Sequence, residues 1–165
     1  MRRRRRPAEA ATGAGHDNLL RPRSLPLTDP SILYPVFALA GWTGIVLLLI
    51  PVKRIGAAMR REVGPDDFRL GESTAVPDAV RIPNRNYMNL LELPVLFYVV
   101  CLLSYMAATP SAAAVALAWA YVGLRVLHSV VHLTYNHVIH RLVLFAASNV
   151  VLVMLWVSAA LRLVR

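Results

Sequence analysis

Between Ile32 and Val52 the chain carries no charged side chain. An apolar run of about 20 residues, wound as a helix at about 1.5 Å per residue, crosses the roughly 30 Å hydrocarbon core of a bilayer. Three further apolar runs follow, over residues 84–108, 112–135 and 139–163. Few folds are open to such a chain, because lipid offers the backbone no hydrogen bonds and long apolar runs satisfy their own as helices. The composition agrees: of 165 residues, 57% are hydrophobic and 16% charged, where soluble domains carry roughly 45–50% and 25%. The expected fold class is all-α, an integral membrane four-helix bundle spanning residues 32–165. Residues 1–31 read as a disordered basic tail, rich in Arg, Pro and Ala without apolar period. The arginines from Arg2 to Arg6 look like the start of a signal peptide, but no apolar stretch follows closely. A tether to anionic lipid is the other reading of that run.

Pro51, Lys53 and Arg54 mark the end of the first span at the interface. A polar loop over residues 53–83 follows, with Gly64–Pro65, Gly71 and Pro77 as breakers and room for a short helix around residues 55–63. Thr109, Pro110 and Ser111 form a tight turn, with Ser111 placed to cap the third span. Short loops force antiparallel neighbours. The net charge of +9 raises nucleic-acid binding. The basic residues, however, sit in the tail and between apolar runs, as membrane-flanking charge does, so no nucleic-acid partner is expected. Eight of them (Lys53, Arg54, Arg60, Arg61, Arg69, Arg81, Arg85 and Arg141) fall on the long-loop side. Four (Arg21, Arg23, Arg162 and Arg165) fall on the side of the termini. The long loop is therefore expected in the cytoplasm and both termini outside, in a multi-pass protein of a bacterial inner membrane. The single cysteine, Cys101, makes no intrachain disulfide.

Residues 121–145 carry the polar groups that such a fold has to explain. Arg125, His128 and His132 stand at i, i+3 and i+7, one face of a helix. Arg125 lies roughly 15 Å from the polar end of its span. A charge at that depth costs about 2.5–3.5 kcal/mol or more and faces the bundle interior with a partner. Glu92, at a similar depth on the antiparallel second span, is the expected partner. Arg85, Asn89 and Glu92 recur at i, i+4 and i+7 and offer a cation, an amide and an anion on one face. Arg141 stands where the fourth span begins. Together these donors suit an anionic ligand with peptide-like groups. His128, His132, His137 and His140 raise a metal or haem site, but no cysteine or carboxylate lies close in sequence, and none is expected.

The segment R-x-x-x-N-x-x-E-x-P at Arg85, Asn89, Glu92 and Pro94 resembles the second-helix signature of the MAPEG proteins, membrane-associated proteins of eicosanoid and glutathione metabolism. R-x-x-H at Arg125 and His128, with Arg141 13 residues further on, resembles the microsomal glutathione transferase and prostaglandin E synthase branch. The resemblance implies a homotrimer with glutathione bound between subunits near the cytoplasmic face. It implies that Arg85, Asn89, Glu92, Arg125, His128 and His132 bind glutathione. Lys53 would reach in from the neighbouring subunit, and Arg141 would be catalytic, stabilising the thiolate. His132 stands where the family usually has tyrosine, Leu142 where the prostaglandin synthase branch has a serine hydroxyl, and Phe145 where a tyrosine is expected. The implied activity is that of a glutathione-dependent membrane transferase or peroxidase acting on lipophilic electrophiles. The alternative is a non-catalytic relative that binds lipid or a protein partner, as the loss of both hydroxyls would suit.

Overall fold

A computed structural model describes residues 29–164 apart from Leu70 and Thr109. The tail expected over residues 1–31 lies outside the described residues as far as position 28. Asp29, by contrast, caps a 3-10 turn, Pro30–Ile32, with its carboxylate accepting from the Ser31 amide at 2.9 Å and the Ser31 hydroxyl at 3.0 Å. The chain passes directly from this turn into the first long helix, α1 (Leu33–Met59).

α1 runs past the predicted end at Val52, and Pro51 lies inside it. Proline removes one backbone donor but its fixed φ remains compatible with a helix that other contacts hold. Those contacts come from the loop. Arg54 pairs with Glu72 at 3.0 Å and lies 4.5 Å above the Phe68 ring. Ala57 packs in a small apolar cluster with Val63, Val76 and Val80. The helix expected near residues 55–63 is thus the end of α1, and a 3-10 turn, Pro65–Phe68, follows it.

Asp67 fastens this loop. Its carboxylate accepts from the Gly64 amide and from the Ser73 hydroxyl, both at 2.8 Å. The Gly64 amide first, and Ser73 second, hold the Asp67 carboxyl below the usual carboxylate range. A depressed folded value stabilises the loop above the unfolded value of about 3.9, and that contribution disappears as pH falls through the folded value. Amide exchange at Gly64 should therefore be slow at pH 7, and fast there once Asp67→Ala removes its acceptor, whereas the Ser73 amide, which donates to the Asp67 backbone carbonyl, keeps its partner. Equal exchange of the Gly64 amide in both proteins would show the loop is held by something else.

The second span is two helices, α2 (Asp78–Leu91) and α3 (Pro94–Met106), rather than the single run expected from residue 84. The break falls at Glu92, with ψ of −95°, and Leu93. Pro94 has no N–H to continue the ladder, and the departure is taken up at Glu92, while Leu93 keeps helical angles of φ −63° and ψ −31°. α2 buries Val80, Pro83, Asn86 and Leu90. Its opposite face therefore presents Arg85, Asn89 and Glu92. α4 (Ala112–Leu133) starts as expected at Ser111, whose hydroxyl accepts from the Ala114 amide at 3.1 Å. α5 (Val138–Leu163) completes the bundle.

Among the described residues all regular structure is helical, and α1, the α2–α3 pair, α4 and α5 are long and apolar enough to cross a membrane. Phe97 of α3 stacks on Tyr121 of α4, with ring centres 4.6 Å apart, in a core that includes Leu39, Val46, Val100, Leu152 and Leu155. Phe37, Leu48, Val153 and Val157 point outwards, as apolar side chains facing lipid do. One buried polar link ties α2 to α4: the Asn86 amide donates to the Ser129 hydroxyl at 2.6 Å.

Candidate functional site

The outward face of α2 meets the α4–α5 corner in a polar cleft of about 470 Å³. Arg81, Arg85, Asn89 and Glu92 line one wall; His132, Asn136 and Arg141 line the other. The turn between α4 and α5 sets the second wall. Asn136 adopts a left-handed backbone with φ of 49°, a conformation asparagine tolerates better than most residues. Its amide bonds back to the Val131 carbonyl at 2.8 Å, and its side-chain oxygen accepts from Arg141 Nη1 at 2.8 Å. Arg141 Nε is buried without a partner, as are both ring nitrogens of His132. These atoms are donors and acceptors whose hydrogen-bonding capacity is unmet by the described residues.

A second cavity of about 220 Å³ shares Asn89 and Arg141 with the cleft and adds His128, Val138, Leu142 and Phe145. His128 Nδ1 lies 3.0 Å from the Arg141 carbonyl oxygen. A carbonyl can only accept, so Nδ1 carries the hydrogen and donates it, which leaves Nε2 of the neutral ring as an acceptor. That Nε2 is buried and unpartnered.

The structure therefore gathers Arg85, Asn89, Glu92, His132 and Arg141 around one cleft, with His128 beside it. Arg125 is fully buried and lines neither cavity. The expected Glu92–Arg125 pair does not form: Glu92 is exposed at the helix break, and Arg125 Nε donates instead to the Tyr121 hydroxyl at 3.1 Å. Depth alone suggested the pair, but Glu92 lies on the outer face of α2, opposite the buried row that meets α4. Lys53 is exposed on α1 and belongs to neither cavity in a single chain.

The sequence model of the MAPEG family matches residues 32–161. The chain belongs to the MAPEG family. Comparison with curated proteins and with solved structures finds no match. The match covers every helix of this MAPEG chain except the last residues of α5.

MAPEG proteins include glutathione transferases and related enzymes, and commonly use glutathione. The residues present fit that tripeptide. The cleft has a volume within the range of about 300–1,000 Å³ usual for small-ligand sites. The lining holds Arg81, Arg85 and Arg141 with Asp78 and Glu92, three positive groups against two negative, an excess that suits a peptide-like monoanion. Asn136 and Arg81 do not stand out in this MAPEG sequence as site residues. Asn136 could be found from its place in the α4–α5 turn, where a left-handed residue is needed. Arg81 could be found from its spacing of four before Arg85.

Proposed function

We propose that this MAPEG protein is a glutathione-dependent membrane transferase or peroxidase of the microsomal glutathione transferase and prostaglandin E synthase branch, acting on lipophilic electrophiles. The observation that carries the reading is the cleft itself. Arg85, Asn89, Glu92, His132 and Arg141 come from three separate helices and converge with unpartnered nitrogens on one cavity. When bound, glutathione supplies the thiol nucleophile. Arg85 and Asn89 would hold its acidic and amide groups, and Glu92 its ammonium. His132 and His128 Nε2 would take polar hydrogens. Arg141 would favour the ionised form of a sulfur beside it, because a cation within about 4–6 Å favours an anion. The assembly in this reading is a homotrimer in a bacterial inner membrane, with the cleft towards the cytoplasm. Lys53, exposed on α1, is then free to reach a neighbour's cleft. Arg125 lines neither cavity.

One observation favours the second reading, a non-catalytic binding protein: Leu142 and Phe145, not hydroxyl-bearing residues, stand beside Arg141 in the smaller cavity. Two measurements on the detergent-solubilised protein separate these readings. A ligand of the native state raises its apparent stability, so glutathione should raise the melting temperature. Turnover of a generic electrophile such as a halonitrobenzene should follow. Stabilisation without turnover leaves the binding protein; neither result removes glutathione altogether.

A further inference from the structure

One positive charge on the wall of the cleft is held loosely. Arg81 of α2 lines the cleft, and its side chain is 23% exposed. Of its nitrogens only Nε is buried without a partner. Nη1 and Nη2 stay open to solvent, and neither makes a hydrogen bond among the described residues. The carboxylate that pairs with them is Asp78, 3.6 Å from Nη1, an ion pair longer than a hydrogen bond. The Asp78 side chain is 87% exposed, so water screens the pair and little is lost when it parts. Arg141, on the opposite wall, is already committed: its Nη1 donates to Asn136 at 2.8 Å.

The order of charges along α2 says what the loose guanidinium can meet. Arg81, Arg85, Asn89 and Glu92 follow one another along one wall of the cleft. At about 1.5 Å per residue, Arg81 and Glu92 stand roughly 16 Å apart along the helix. An extended tripeptide spans roughly 10 Å, and the two long side chains cover the rest. Glutathione carries its ammonium and one carboxylate on the same carbon of the γ-glutamyl unit, and its second carboxylate on the glycine at the other end. With the ammonium at Glu92, the glycine carboxylate falls at the end of the wall where Arg81 stands. A guanidinium meets a carboxylate with two parallel hydrogen bonds, which Asp78 at 3.6 Å does not supply.

We propose that Arg81 reads the free glycine carboxylate of glutathione, exchanging Asp78 for that group, so that the cleft selects tripeptide thiols with an unblocked C-terminus. This rests on the glutathione reading of the cleft. The test is titration calorimetry of the full chain in detergent micelles, with glutathione and with its glycine ethyl ester. The native chain should bind glutathione about tenfold more tightly than the ester, the size of one charge-assisted contact. Arg81→Gln should weaken glutathione about tenfold and leave the ester unchanged, erasing the preference. Arg60→Gln, exposed at the end of α1, should keep it. A native chain that binds neither ligand overturns the glutathione reading and this inference with it. Glutathione that binds no more tightly than the ester, or an Arg81→Gln protein that still prefers the acid, overturns the inference alone. If Arg81→Gln does not fold, Arg81→Lys carries the test, because an ammonium lacks the paired donors: the preference should fall to about threefold, and an undiminished preference refutes the site.

Discussion

Arg141→Ala is expected to cut turnover of an electrophile with glutathione by about 100-fold, the usual size of loss when one preorganised group facing a developing anion is removed, while glutathione affinity falls far less. Arg141 brings to the cleft a guanidinium that stays charged at any physiological pH and whose Nε has no protein partner. In the proposed reading binding is spread over Arg85, Asn89 and Glu92, which line the facing wall, so losing Arg141 should remove more from kcat than from the dissociation constant. Arg85→Ala should show the reverse split, with affinity lost and kcat nearly kept. One control separates chemistry from scaffolding. Arg141 Nη1 also ties the Asn136 turn at 2.8 Å, and Asn136→Ala breaks that bond while leaving the guanidinium in place. Should Asn136→Ala lower kcat as much as Arg141→Ala, Arg141 acts by holding the turn and not by facing sulfur.

Phe97→Ala should be the most destabilising single change in the bundle, by about 3 kcal/mol, in line with truncation of buried aromatic side chains. Phe97 is fully buried and stacks on Tyr121 at 4.6 Å with planes 21° apart. In lipid the solvation gain from burying it is small, but the dispersion contacts that the ring makes are lost outright when it is cut back. The damage extends further along α4. Tyr121 is the residue whose hydroxyl accepts from Arg125, so a cavity at Phe97 frees the ring that positions the buried guanidinium. Phe97→Leu keeps most of the volume and should cost under about 1.5 kcal/mol. Unfolding in graded detergent mixtures measures both; similar losses for Leu and Ala would mean that the stacking geometry, not the volume, carries the energy.

The four spans were legible because lipid leaves a chain few choices, and long apolar runs declare themselves even when a few charges interrupt them. Where the runs stop was less legible. The extension of α1 beyond Pro51 depends on Arg54 meeting Glu72, a contact across 18 positions that no local pattern reveals. The helical spacing of Arg85, Asn89 and Glu92 correctly put them on one face. Pairing Glu92 with Arg125 failed because depth says nothing of facing: Glu92 shares the outer face with Arg85 and Asn89, while the buried face of α2, through Asn86, meets α4. Asn86 was overlooked because it adjoins Arg85 in sequence. Its place in the buried row of Val80, Pro83 and Leu90 marks it as an interior polar group in need of a partner, and Ser129 is that partner.

The break between α2 and α3 also bears on how the protein enters the bilayer during synthesis. α3 has 13 residues, about 20 Å of helix at 1.5 Å per residue, short of the roughly 30 Å hydrocarbon core. α2, which would supply the remaining length, carries Arg81, Arg85 and Glu92 on its outer face. A nascent chain that ended after α3 would therefore reach across the bilayer only by drawing the polar face of α2 into it. α4 follows after only the residues 107–111, so the two helices insert as a hairpin, and α4 brings the Ser129 that receives Asn86. The polar half of the second span thus becomes a stable part of the membrane only after the helix that follows it has been made.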